Sequence, residues 1–137
     1  MKHELAKEWL RAAYSDIVVL YKIVDDEYIT HMTAFHSQQA IEKILKAILE
    51  YHSDTVPKKH DILMLKDRVM PYLQIDKEDL FEDLNALYID SRYPGNMGLL
   101  PYGKPTLQDA KEFYDFTNAF FIEVCELLNI ELKEIRE

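Results

Sequence analysis

All the glycine in this chain falls in one short stretch. Gly95, Gly98 and Gly103, together with Pro94, Pro101 and Pro105, lie in SRYPGNMGLLPYGKP, residues 91–105, which leaves only Pro57 and Pro71 elsewhere in 137 residues. A turn-rich all-β fold needs chain reversals every eight to twelve residues or so, and the residues that make them are missing here. What remains is long uninterrupted segments that must be helices. The breaker-rich stretch itself is too long for an ordinary helix–helix connection, and such loops are usually functional or disordered.

The apolar spacing places five helices. Residues 3–24 carry Leu5, Trp9, Ala12, Ala13, Leu20 and Val24 at intervals of three and four, and Asp25-Asp26 interrupts the pattern. Residues 28–52 carry Ala34, Ile41, Ile44, Leu45 and Ile48 on one face. SDTVPKK reads as a turn, because Pro57 removes a backbone donor. Residues 60–70 form a short third helix headed by His60, with Ile62, Leu63, Leu65 and Val69, that ends near Pro71. Residues 76–90 form a fourth with Leu80, Leu84, Leu87 and Tyr88 inward, Asp76 as its N-cap, and Glu78 and Asp79 in its first turn. Residues 106–132 form a fifth, capped by Thr106, with Phe113, Phe116, Phe120, Val124, Leu127 and Leu128 as its stripe. This is a single all-α domain over 1–137, an up-and-down bundle of four to five helices.

Charge narrows the function. The formal net charge is −9. Residues 1–60 hold 8 basic and 9 acidic side chains, whereas residues 61–137 hold 8 and 16. Sequence-independent binding to RNA or DNA is disfavoured by that balance. The acidic fourth helix (Asp76, Glu78, Asp79, Glu82, Asp83) reads as a solvated face or as a docking patch for a basic partner. Cys125 is the single cysteine, set among Phe120, Phe121, Val124 and Leu128, which suits a buried inert thiol and a reducing compartment. No run approaches the roughly 18 apolar residues of a membrane span, and MKHELAKEWL lacks the apolar core of a signal peptide. The expectation is a cytoplasmic protein.

Three polar features stand out. On the second helix, HSQQAIEKILKAIL packs His36, Ser37, Gln38 and Gln39 together and follows them with Glu42, Lys43 and Lys46. At 100° per residue, Ser37 lies with Ala34, Ile41, Ile44 and Ile48 on the buried face. Gln38 and Glu42 flank that face, while Gln39, Lys43 and Lys46 fall mostly in solvent. The stripe is either a solvated surface with a Glu42–Lys46 pair or a hydrogen-bonding seam facing a ligand or partner. Asp16 lies on the apolar stripe of the first helix, so it must be paired or reach solvent, with Lys43, Lys46 and Arg92 as the available cations. In DSRYPG, Arg92 either satisfies terminal carbonyls or presents a planar fork to phosphate or carboxylate. The five histidines make no metal pattern, no glycine-rich phosphate loop occurs, and no nucleophile elbow is present. No catalytic residue, metal ligand or cofactor is assigned.

Trp9, Asp16, SQQAIEKILKAIL at 37–49, PKKHDILML at 57–65 and YIDSRYP at 88–94 together resemble the HEPN domain (higher eukaryotes and prokaryotes nucleotide-binding), in its RYP-containing prokaryotic branch. The resemblance implies a bundle similar to the C-terminal domain of kanamycin nucleotidyltransferase. It implies homodimers and assembly with a minimal nucleotidyltransferase protein, often as a toxin–antitoxin pair. It also implies that Gln38, Gln39, Glu42, Lys43, Lys46, Tyr88, Arg92 and Tyr93 serve nucleotide or partner binding, with Asp16 and His60 as structural polar residues. One branch of the family cleaves RNA with an R-x4-6-H motif. Here the positions five to seven residues after Arg92 are Met97, Gly98 and Leu99, so the motif is not present. The alternatives to a binding module are an RNA-cleaving toxin using His36, His60 and Tyr88, and a purely structural interaction protein.

Overall fold

The Asp26 carboxylate accepts the Tyr28 amide at 3.0 Å and so starts a 3-10 turn, Glu27–Ile29, that reverses the chain. The computed structural model describes residues 2–90 and 104–136, which form six α-helices and this one 3-10 turn, with no strand among them. On either side of the turn lie α1 (Lys2–Ile23) and α2 (Thr30–Tyr51). They pack antiparallel: Trp9 sits beside Lys46, and Asp16 beside Lys43 and His36. α3 (Ile62–Val69), α4 (Glu78–Asp90), α5 (Leu107–Leu127) and α6 (Leu132–Arg136) complete the bundle. α2 is its axis, packed against α1, α3, α4 and α5.

The helix starts follow from local chemistry. Asp61 caps α3 by accepting the Leu63 and Met64 amides. Thr106 caps α5 in a reciprocal box with Asp109, as its sequence predicts. Asp76 does not cap α4. That helix begins at Glu78, and its first bond runs from the Phe81 amide to the Lys77 carbonyl, which makes Lys77 the cap. His60 likewise lies just ahead of α3 rather than heading it. Lys104 donates to the Glu27 and Tyr28 carbonyls, and Thr30 donates to that of Pro105 at 2.6 Å, fixing the approach to α5 against the start of α2.

Two helices end on a left-handed residue that is not glycine. At the end of α2, Ser53 takes φ 57°, the Asp54 amide reaches back to Leu49 and the Ser53 amide to Glu50. At the end of α5, Asn129 takes φ 57° with the equivalent bonds from Ile130 to Cys125 and from Asn129 to Glu126. Both are Schellman caps. The second explains why the expected single helix over 106–132 is two: the chain turns at Asn129 and restarts as α6. α6 then folds onto α1, where Lys7 pairs with Glu134 at 3.0 Å and Arg11 donates to the Glu134 carbonyl at 2.9 Å. The α2–α3 link is clipped by Asp54, which accepts from Arg68 and from the Tyr72 hydroxyl, each at 3.0 Å. The Tyr72 hydroxyl, then the Thr55 amide and then Arg68 hold the Asp54 carboxyl below the usual range.

The core runs along α2, from Ala34 through Ile41, Ile44, Leu45 and Ile48. α1 meets it through Ala6, Leu10, Ala13, Ile17 and Leu20, a stripe rotated from the one the periodicity predicts. Leu5 is exposed and Trp9 half-buried. On α5 the stripe holds at Phe113, Phe120, Val124 and Leu128, while Leu127 turns outward. Cys125 is buried, as expected, and burial pushes its thiol from 9.0 to about 11.

Two measurements check these elements. Ser53→Gly removes the steric cost of a left-handed residue bearing a Cβ, and should stabilise the fold by up to about 1 kcal/mol in urea unfolding. A thiol held above its ordinary value favours the protonated folded state. The contribution of Cys125 should be fully present below about pH 9 and lost as pH rises through about 11. Comparing the alkaline stability profile of the protein with that of Cys125→Ala isolates this slope from the tyrosines and lysines.

Candidate functional site

The polar run on α2 is an interior seam rather than a solvated stripe. Gln38, Glu42 and Lys46 are buried at 0 %, 4 % and 5 % exposure, while Gln39 and Lys43 are half-buried. Lys46 is the correction: spacing puts it in solvent, and the structure puts it inside. Helical spacing fixes an angle only relative to the apolar face, and α2 is covered on several sides at once.

Two carboxylates organise the seam. Asp16, from α1, accepts Lys43 on Oδ2 at 2.7 Å and faces His36 Nδ1 from Oδ1 at 2.9 Å. Glu42, from α2, accepts Lys46 on Oε2 at 2.9 Å. His60 Nδ1 lies 3.1 Å from both Glu42 oxygens. The Gln38 amide donates to Glu42 at 3.4 Å and to the His60 carbonyl at 2.8 Å, which holds the segment before α3 against α2. The Lys46 ammonium also lies 5.4 Å from the Trp9 ring centroid. Each carboxylate therefore holds one lysine and one histidine. Asp16 is paired as its burial demands, and the Glu42–Lys46 pair joins residues one turn apart on the same helix.

The described residues give seven of the ten predicted site residues a place. Glu42, Lys46, Gln38 and Asp16 form the framework. Lys43 and Gln39 are at the rim. His60 does more than pack, because its half-exposed ring is oriented by Glu42. Tyr88 lies in α4, with its side chain outside the described residues, and Arg92 and Tyr93 lie outside them altogether. His36 is the partner that sequence reasoning missed for Asp16. The signal was available, since His36 and Lys43 are seven apart and share a helix face. Four buried atoms on α2, His31 Nδ1, Thr33 Oγ1, Ser37 Oγ and Gln38 Oε1, have no hydrogen-bond partner among the described residues. No group of three metal-ligating side chains occurs among them either.

Two concave surfaces lie away from the seam. One is an acidic cleft of about 420 Å³ between the starts of α4 and α5, where burial, Asp109 and Asp79 raise the Asp83 carboxyl. The other is a largely apolar groove of about 720 Å³ between α1, α5 and α6.

The HEPN domain family matches residues 6–128. This chain belongs to the HEPN family. Its fold is similar to that in the crystal structure of TT1696 from Thermus thermophilus, with a TM-score of 0.69, 24 % identity, and coverage of 89 % of this chain and 97 % of that one. No curated protein matches the sequence. The helical bundle expected from the sequence is thus shown for the described residues, and none of their helices is long and apolar enough to cross a membrane.

The Glu42–Lys46 pair should be costly to break and cheap to replace. Glu42→Gln leaves a buried ammonium without its counter-charge and should cost about 3 kcal/mol or more in chemical unfolding. The double change Glu42→Leu with Lys46→Met should recover most of that loss. A Glu42→Gln protein as stable as the parent would show that the pair is not closed to water.

Proposed function

We propose that this HEPN module works by binding rather than by catalysis. It pairs with a second copy of itself and with a minimal nucleotidyltransferase protein, and it holds a nucleotide at the rim of the α1–α2 seam. The observation that supports the reading is the seam itself, where buried carboxylates fix Lys43, His36 and His60 at its edge. In this reading Arg92 contacts phosphate, Tyr93 and Tyr88 supply aromatic faces, and Lys43 and Gln39 complete the rim. Glu42, Lys46, Gln38 and Asp16 keep the rim in place. The cytoplasm suits such a module, with its single buried thiol.

A second reading is favoured by one feature: both His36 and His60 rest on a carboxylate, the arrangement that orients an imidazole for proton transfer. In an RNA-cleaving toxin these two and Tyr88 would carry the chemistry.

One panel separates the readings. Melting temperature is measured with ATP, GTP, their diphosphates and a short RNA, for the protein and for Arg92→Ala. A nucleotide held at about 100 times its Kd should add about 2.7 kcal/mol, several degrees for a domain of this size. Arg92→Ala should abolish the shift. An unchanged shift in the variant would remove Arg92 from the site, a flat panel would leave a protein-binding scaffold, and shortened RNA would favour the toxin.

A further inference from the structure

The groove between α1, α5 and α6 lies apart from the seam and has no role in the nucleotide reading. Four of the large apolar residues exposed on the described surface, Val18 (39 %), Tyr21 (72 %), Ile122 (50 %) and Leu132 (46 %), line it together. Scattered apolar residues on a surface need no explanation, whereas a concave cluster marks an interaction site. The charged residues lining the groove are Glu126 and Glu131, and no lysine, arginine or histidine joins them. Lys133 pairs with Glu131 at 3.3 Å from outside the lining. α5 adds Asp109, Glu112, Asp115 and Glu123 to Glu126, against Lys111 alone. The exposed ring of Tyr21 offers a face to a cation.

We infer that this groove docks an amphipathic helix of a partner protein, with an apolar stripe seated on Val18, Ile122 and Leu132 and basic side chains reaching Glu126 and Glu131. The inference rests on the reading that the module works by docking a partner, and it names the surface and the chemistry. Charge selects the occupant, and the four exposed apolar residues offer anchor points of the kind an amphipathic helix meets with its i, i+3, i+4 side chains. A second copy related by a two-fold axis would bring the same acidic rim against itself, and like charges facing one another are unfavourable.

The test uses two fluorescently labelled helical peptides, one of leucine and lysine and one of leucine and glutamate, with the full chain. The Leu/Lys peptide should bind, its affinity should fall with salt, and the Leu/Glu peptide should not bind. Ile122→Asp, at a half-exposed position, should leave the melting temperature unchanged and weaken binding by about tenfold or more. Glu126→Gln with Glu131→Gln should weaken it several-fold and flatten the salt dependence. Neutralising Glu78, Asp79 and Glu82 on α4 should change it little; loss of binding there with none in Ile122→Asp would move the site to α4 and overturn the assignment. Equal binding of both peptides would overturn it as well, and so would a dimer that Ile122→Asp splits, since a second copy would then own the groove. A nucleotidyltransferase partner bound equally by the protein and by Ile122→Asp would preserve the partner reading and reject the groove. A partner that does not bind, beside a peptide that does, would reject the partner and keep the groove.

Discussion

The bundle depends on a helix that is enclosed and charged at once. α2 is packed by α1, α3, α4 and α5, yet it carries Gln38, Glu42 and Lys46 into the interior. An isolated buried charge is costly, so each of these groups must meet another within hydrogen-bond reach. Glu42 gathers three groups: Lys46 and the Gln38 amide on its own helix, and His60 ahead of α3. Asp16 does the same between α1 and α2. Apolar packing brings the helices together, and these carboxylates set their register, because a slide of one turn would leave a lysine and a carboxylate unmatched.

How much of this was legible depends on which neighbour decides the outcome. The two long helices of the α1–α2 hairpin follow from apolar spacing, and the cap of α5 from Thr106 and Asp109, since those signals are local. The end of α5 was hidden because its left-handed residue is Asn129, where glycine would have announced a stop. The rotation of the α1 stripe was hidden because apolar residues lie on more than one side of that helix. Leu5 and Leu10 read alike, and only the position of α2 buries Leu10 and leaves Leu5 exposed.

The candidate site was half legible. Spacing identifies Asp16 as a carboxylate needing a partner, and identifies the α2 run as polar equipment on an apolar helix. It does not distinguish a wet edge from an interior seam, because that depends on how many helices cover α2. Lys46 shows the difference: its angle suggested solvent, and the side of Trp9 and the loop before α3 make it interior. The geometry explains what the seam residues do for one another.

The contact between Lys46 and Trp9 has a spectroscopic consequence. Trp9 is the chain's one tryptophan, and it sits with an ammonium 5.4 Å from its ring centre. Its emission therefore comes from a single place in the molecule, the α1 wall of the seam. A charge held near an indole shifts its excited state, so any event that moves Lys46 or rewets Glu42 would be written into colour and intensity without a label. The protein carries an optical gauge of its own interior, mounted where the two longest amphipathic faces meet.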